Sequence, residues 1–137
     1  MTSFASLAVS YLASLAVFLM IDVIWIKRVM GPLFRRHIGD MMLDDPRVGA
    51  AAAFYVLYVA GIVYLAVLPG VQGGGLGTTA LNGAVLGGLA YGTYEVTNYA
   101  TLRNWTTRML WIDVTWGVLL TMLTAIAGFL AHQAVAG

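Results

Sequence analysis

The chain has 137 residues, of which 61% are hydrophobic and 9% charged, with a net charge of +1 and no cysteine. A soluble domain is about 45–50% apolar and roughly 25% charged, and a disordered segment has too few apolar residues to collapse, so both classes are excluded. Without cysteine there are no disulfides and no thiolate metal ligands. The low net charge gives no sign of a nucleic-acid-binding surface. We therefore expect a single transmembrane domain over residues 1–137, with membrane lipids and not nucleic acid as its surroundings.

Four apolar stretches are each long enough to span a membrane, because about 20 residues in a helix cover the hydrocarbon core. They occupy about 4–26, 49–68, 79–102 and 109–130. The sequence therefore predicts an all-α membrane protein, a four-transmembrane-helix bundle. The first stretch lacks a basic n-region and has a longer apolar run than a cleaved signal peptide, so we expect it to be a retained helix.

All seven Lys and Arg residues lie in two predicted loops. Residues 27–48 contain five of them and residues 103–108 contain two, whereas the loop at 69–78 and both ends of the chain contain none. Short loops that are rich in Lys and Arg stay on the cytoplasmic side. We therefore expect loops 27–48 and 103–108 to be cytoplasmic and both termini to lie outside. The same bias disfavours a dual-topology transporter.

The loop at 27–48 is long enough to have structure of its own. Apolar residues recur at helical spacing over 33–42, with charged residues on the other side, which predicts a short segment lying in the membrane interface. Asp45 and Pro46 are predicted to be the N-cap and first-turn residue of the second span. The glycine-rich loop at 69–78 requires no nucleotide, since a phosphate-binding glycine loop follows a strand and this one follows an apolar helix.

Three of the six acidic residues, Asp22, Glu95 and Asp113, lie inside predicted spans. An acid at the centre of a lipid-facing helix costs roughly 2.5–3.5 kcal/mol on insertion scales, so we expect all three to face the bundle interior. Measured from the nearest cytoplasmic charge, Asp22 and Asp113 lie about 7–8 Å deep and Glu95 about 12 Å deep, at the helical rise per residue. Acids on three helices at similar depth predict a shared pocket.

Aromatic and polar residues accompany each acid at helical spacing. The pentapeptide Ile-Asp-Val-x-Trp occurs twice, at 21–25 and 112–116, on spans that run in opposite directions. We therefore expect Trp25 on the cytoplasmic side of the carboxylates and Trp116 on the opposite side. No metal site is predicted, and the pattern does not indicate a particular cofactor. The predicted ligand-binding residues are Asp22, Trp25, Tyr55, Tyr58, Tyr91, Tyr94, Glu95, Asn98, Asp113 and Trp116.

A structural interpretation of the three acids stays open beside the functional one. Asp22 could pair with Arg28 or Arg108, while Asp113 could accept a hydrogen bond from an indole or phenol. Glu95 could be neutral, with Asn98 and Tyr91 as partners.

Small residues on the third span, Gly83, Gly87, Gly88 and Gly92, have the spacing that lets helices approach closely in lipid. Packing within the bundle is the first interpretation of this glycine stripe. A homodimer or a larger membrane complex is the second.

The motifs together resemble a known family. Asp22-x-x-Trp25, Phe54-Tyr55, Tyr91-x-x-Tyr94-Glu95-x-Thr97-Asn98 and Asp113-x-x-Trp116-Gly117 are similar to the bacterial membrane proteins grouped as domain of unknown function 2177, over nearly the whole chain. The resemblance implies a small, multi-pass protein of the bacterial inner membrane, so that the outer termini would be periplasmic. It implies no activity.

Three function classes fit these residues. The first binds or transports a cation, a proton or a polar-headed lipophilic molecule in a pocket lined by intramembrane carboxylates. The second is a non-catalytic accessory subunit of a membrane complex. The third is a membrane-embedded enzyme, in which Glu95 protonates a lipidic substrate while an ionised aspartate stabilises positive charge.

Overall fold

The computed structural model describes residues 3–136, and its secondary structure is helical. Helix α1, Phe4–Trp25, continues through a π-helical segment, Ile26–Met30, into α2, Gly31–Ile38, and a short 3-10 turn, Gly39–Met41. Helix α3, Val48–Ile62, continues into a second π-helical segment, Val63–Val67. A third π-helical segment, Gly70–Gly74, comes directly before helix α4, Gly75–Thr101. Helix α5 spans Thr107–Ala136. No strand occurs within residues 3–136.

Three helical stretches in the described chain are long and apolar enough to cross a membrane: Phe4–Met41, Val48–Thr101 and Thr107–Ala136. The sequence predicts four. The difference lies in the second stretch, where helical hydrogen bonding continues across Gln72 and Gly73 although their backbone angles are not helical. Gly73 has a φ of 122°, a conformation that glycine adopts without steric cost.

The turn between α3 and α4 brings the two helices side by side. The amide of Asn82 in α4 donates to the backbone carbonyl of Leu65, at 3.0 Å. Gly70 lies so close to Thr79 that a Cβ on the glycine would overlap the threonine hydroxyl. The chain therefore reverses direction within Val48–Thr101.

Helix α5 lies at the centre of the bundle and packs on both α1 and α4. The core between the helices contains Phe18, Val59, Ile62 and Leu120, all fully buried. The α1 face that meets α5 also carries Ser10 and Ser14, whose hydroxyls donate to backbone carbonyls of α5. Such side-chain bonds to the backbone allow hydroxyl groups to be buried in an apolar bundle.

The predicted start of the second span is wrong. Helix α3 begins at Val48 with Arg47 at its N-cap position, so Asp45 and Pro46 do not cap or begin it, and no side chain caps this end. The segment predicted in the first loop contains a helix, α2, and part of its apolar side packs on protein. Leu33 is buried, and the ring of Phe34 is 5.2 Å from that of Trp105. Packing against the start of α5 therefore fixes the position of α2.

Candidate functional site

A cavity of about 460 Å³ lies at the end of the bundle where α2 meets the turn between α4 and α5. This volume is within the usual range for small-molecule sites. All five helices or their π-helical extensions contribute to its wall. The lining residues are Asp22, Trp25, Ile26, Met30, Phe34, Phe54, Tyr55, Tyr58, Ala90, Tyr91, Tyr94 and Asp113.

The two copies of the Asp-x-x-Trp motif contact each other across the α1–α5 interface. The indole N–H of Trp116 donates to Asp22 at 3.2 Å. In the other direction Asp113 lies beside Trp25, whose N–H makes no well-formed hydrogen bond within the described residues. Because the helices are antiparallel, each aspartate lies level with the tryptophan of the other motif. The repeat in the sequence therefore corresponds to one reciprocal cluster.

The positions of the two tryptophans correct one expectation. Their rings stack with centroids 4.3 Å apart and planes 8° from parallel, so they do not bracket the carboxylates from opposite sides. Stacked and offset aromatic pairs contribute about 0.5–1.5 kcal/mol beyond the burial of their area. The stack holds α1 and α5 together beside the two aspartates, and its Trp25 ring lines the cavity.

Glu95 does not line the cavity. It is fully buried, and its Oε1 atom accepts a hydrogen bond of 2.9 Å from the indole N–H of Trp105. Its other oxygen has no hydrogen-bond partner among the described residues, and the Asp113 carboxyl lies nearby. Two neighbouring carboxyl groups share protons as a pair. Glu95 therefore adds a second proton-binding group beside Asp113.

Tyrosine side chains surround the carboxyl groups. The hydroxyl of Tyr55 lies beside Asp22, and that of Tyr58 is 2.8 Å from the hydroxyl of Thr121. The ring of Phe18 packs against both tyrosines, and its centroid is 5.1 Å from that of Tyr55 and 5.7 Å from that of Tyr58. This packing fixes the two rings of α3 around the acidic end of the cavity.

Seven of the ten predicted ligand-binding residues line the cavity: Asp22, Trp25, Tyr55, Tyr58, Tyr91, Tyr94 and Asp113. Trp116 supports it through Trp25 and Asp22, and Asn98 lies beside the hydroxyl of Tyr94. The structural alternative for Asp22 does not match its surroundings, because Arg28 and Arg108 are both exposed and Trp116 is its partner.

Sequence reasoning missed the part of the lining that comes from the segment after α1. Ile26, Met30 and Phe34 line the cavity, as do Phe54 and Ala90. The sequence predicts Phe34 in an interfacial segment, but helical periodicity alone does not indicate which protein surface its ring covers. The π-helical segment Ile26–Met30 had no clear signal in the sequence, although π-helical turns are frequent at functional sites.

Two glycines of the stripe on α4 pack inside the bundle. A Cβ on Gly87 would overlap the backbone of Gly117, and one on Gly83 would lie 3.0 Å from the Cβ of Ala125. Gly88 has only one neighbour at 3.4 Å, and Gly92 has none within 4 Å. Packing within the bundle therefore accounts for Gly83 and Gly87.

The fold and the cavity together define an all-helical membrane protein with carboxyl groups inside the bundle. The family model described as predicted membrane protein (DUF2177) matches residues 7–130, so the chain belongs to this family, and the resemblance of its motifs is confirmed. No curated protein and no solved structure gives a significant match. The family description gives a membrane location, and the function has to be inferred from the site.

Proposed function

We propose that the protein binds the positively charged head of a lipophilic molecule in the cavity. One observation carries the proposal: Asp22 and Asp113 lie in an otherwise aromatic and apolar lining that contains no lysine, arginine or histidine among the described residues. A buried carboxylate needs a compensating positive charge or a proton. A ligand that supplies the positive charge fits this lining, and an anion does not.

The aromatic side chains favour an organic cation. Trp25, Tyr55, Tyr58, Tyr91 and Tyr94 present ring faces or edges around the carboxyl groups, and aromatic faces attract ammonium groups within about 6 Å of the ring centroid. Residues 3–136 contain no group of three acidic or histidine side chains that could hold a metal ion. An ammonium head with alkyl substituents matches both features.

The mouth of the cavity favours a lipophilic ligand. Ile26 at the end of α1 and Phe54 on α3 line the cavity, and they are 41% and 61% exposed. Both lie in apolar helical stretches, so the opening between them faces the surroundings of the bundle and not only its ends. The tail of an amphiphile can extend through this opening while its head remains beside Asp22 and Asp113.

Choline and its neutral carbon isostere, 3,3-dimethylbutan-1-ol, test the proposal. They share shape and hydroxyl group and differ in charge. We expect calorimetry of the purified protein in a maltoside detergent to give a dissociation constant for choline about tenfold or more below that of the alcohol, since tenfold corresponds to only about 1.4 kcal/mol. Equal affinities, or no choline binding, would contradict the proposed function.

The cavity also bears on the two alternative functions. An accessory subunit needs a docking face and no internal chamber, so a cavity with two carboxyl groups favours ligand binding. A membrane-embedded enzyme with Glu95 as its acid requires that group to reach the substrate. Glu95 does not line the cavity and is hydrogen-bonded to Trp105, which disfavours this role.

For the topology we propose four crossings of a bacterial inner membrane, with both termini periplasmic. Two facts support this. The reversal of the chain at Gly70–Gly74 divides the longest stretch into two helices that run side by side. The loops that carry all seven Lys and Arg also lie at one end of the molecule, because Phe34 contacts Trp105. The positive residues would then all be cytoplasmic, in loops 27–48 and 103–108.

Single cysteines can test this topology, because the chain contains none. In spheroplasts, Gln72→Cys is expected to react with a membrane-impermeant maleimide from outside, whereas Asp44→Cys reacts only after permeabilisation. Both positions are exposed in the structure. Protection of Gln72→Cys on both sides would indicate that Val48–Thr101 crosses the membrane once, and labelling of both from one side would contradict the four crossings.

A further inference from the structure

Buried polar side chains continue from the cavity toward the opposite end of the bundle. Tyr58 lines the cavity, and its hydroxyl is 2.8 Å from that of Thr121 on α5. One helical turn further along α5, the hydroxyl of Thr124 is buried and has no hydrogen-bond partner among the described residues. The polar groups thus extend beyond Asp22 and Asp113 into the α1–α5 interface.

Two serines on α1 extend this polar seam, the buried hydroxyl-bearing strip between α1 and α5. Ser14 donates to the carbonyl of Thr124 at 3.4 Å, and Ser10 donates to that of Gly128 at 2.9 Å. Both serines are fully buried. The two serine hydroxyls fit here because residue 128 is a glycine. A Cβ at this position would overlap the hydroxyl of Ser14 and lie 3.1 Å from that of Ser10. The seam is therefore continuous in space from Thr124 to Gly128.

His132 lies at the far end of the seam. Ser10 on α1 is paired with Gly128 on α5, and the two helices are antiparallel. Ser6 lies four residues before Ser10, and His132 lies four residues after Gly128. Ser6 and His132 are therefore level with each other. His132 is 4% exposed, yet neither ring nitrogen has a hydrogen-bond partner within residues 3–136. Buried polar groups that lack protein partners are usually satisfied by ordered water. His132 and Thr124 therefore mark positions where the seam can hold water.

The length of the seam matches the thickness of a membrane. From Asp113 to His132 there are 19 residues of α5, or about 28 Å at the helical rise, and the hydrocarbon core is about 30 Å thick. His132 is the only titratable side chain on α5 after Asp113. One end of the seam thus lies at the acidic cavity and the other near the opposite membrane face.

We propose that this seam is a proton pathway between the cavity and the opposite face of the bundle, along which the cavity carboxyl groups release a proton when a cation enters. The inference rests on the proposed cation binding, since a carboxyl group that faces a cation gives up its proton. The proton passes along hydroxyl groups, water and the imidazole of His132, and each O–H or N–H bond that breaks is replaced by one on the next group. Chains of acids, histidines and waters perform this transfer in membrane transporters.

Titratable groups lie at the cavity end on α1, α3, α4 and α5, whereas α2 contributes the apolar Phe34 to the lining. Asp22 comes from α1 and Asp113 from α5, and the other groups on α3 and α4 are Tyr55, Tyr58, Tyr91, Tyr94 and Glu95. Two further tyrosines lie on α1 and near the α3–α4 turn. Tyr11 donates its hydroxyl hydrogen to the carbonyl of Val56, and Tyr64 is 69% exposed, so neither belongs to the buried seam. His132 is therefore the group whose removal interrupts the pathway farthest from the cavity.

Proton movement can be measured in vesicles of phosphatidylglycerol and phosphatidylethanolamine, with and without choline. With a pH gradient imposed and a pH-sensitive dye inside, we expect the wild-type protein to carry protons across the membrane, and choline to lower this flux because the bound cation occupies the cavity carboxyl groups. His132→Phe should lower the proton flux about tenfold or more, whereas choline binding in detergent stays within about twofold. His37→Phe, at the only other histidine, is the matched control and should leave the proton flux unchanged.

A second pair of variants keeps the test decisive if His132→Phe does not fold. Thr124→Val removes a hydroxyl that has no partner in the described chain while keeping its shape, and it should lower the proton flux. Thr93→Val, at an exposed hydroxyl that bonds to its own helix, should not. Wild-type proton flux in both Thr124→Val and His132→Phe, or a wild-type proton flux that bound choline leaves unchanged, would overturn the pathway. Loss of choline binding in the wild type would instead contradict the proposed function.

Discussion

Asp22→Asn is expected to weaken choline binding about tenfold or more while the protein stays folded. The asparagine oxygen can still accept the hydrogen bond that the Trp116 indole donates to Asp22, so the contact between α1 and α5 is kept. What the variant loses is the negative charge in the cavity, where the attraction between opposite charges is stronger than in water because the local dielectric constant is lower. Calorimetry with choline, beside thermal unfolding of the same sample, checks both parts.

Asp40→Asn provides the matched control for this prediction. Asp40 lies on the 3-10 turn after α2, is exposed and does not line the cavity. We expect its choline affinity to equal that of the wild type. If Asp22→Asn and Asp40→Asn bound choline equally well, the carboxylate in the cavity would not recognise the charge, and the proposed function would lose its main support.

Gly87→Ala is expected to destabilise the protein by about 1–3 kcal/mol, the usual cost of overpacking a well-packed interior. A Cβ at this position would overlap the backbone of Gly117 on α5, and backbone cannot move aside as a flexible side chain can. The two helices would therefore have to separate. The thermal unfolding midpoint in detergent measures the effect.

Gly92→Ala is the control on the same helix. It has no neighbour within 4 Å of the added Cβ, and alanine favours a helix over glycine by up to about 1 kcal/mol. Its unfolding midpoint should be unchanged or higher. A loss at Gly92 equal to that at Gly87 would contradict the close approach of α4 and α5, and would instead indicate that Gly92 packs on another copy of the chain.

The positions of the cavity carboxyls could be predicted from the sequence because two independent constraints coincide. Burial of Asp22 and Asp113 follows from the cost of placing an acid in lipid, and their common depth follows from the helical rise. Tyr55, Tyr58 and Tyr91 lie on helical faces with fixed periodicity. The depth of a residue and the face on which it lies are properties of a single helix, so the sequence of that helix is enough to predict both.

Features that depend on contacts between helices could not be predicted in the same way. The Trp25–Trp116 stack requires α1 and α5 to lie close enough for two indoles to meet, and the separation of Glu95 from the cavity depends on where Trp105 packs. The start of α3 at Val48 is likewise set after the chain has packed, since Asp45 and Pro46 are good initiators that the fold does not use. Rotation and packing of helices decide each of these.

Anomalous diffraction from crystals soaked with arsenocholine is the most direct measurement of where the head of a cation binds. The arsenic atom replaces the nitrogen of choline and marks the position of the positive charge. We predict a single peak in the cavity between Asp22 and Asp113, within about 6 Å of the centroids of the Trp25 and Tyr55 rings. A peak elsewhere on the protein, with none between these two aspartates, would contradict the assignment of the cavity as a cation site.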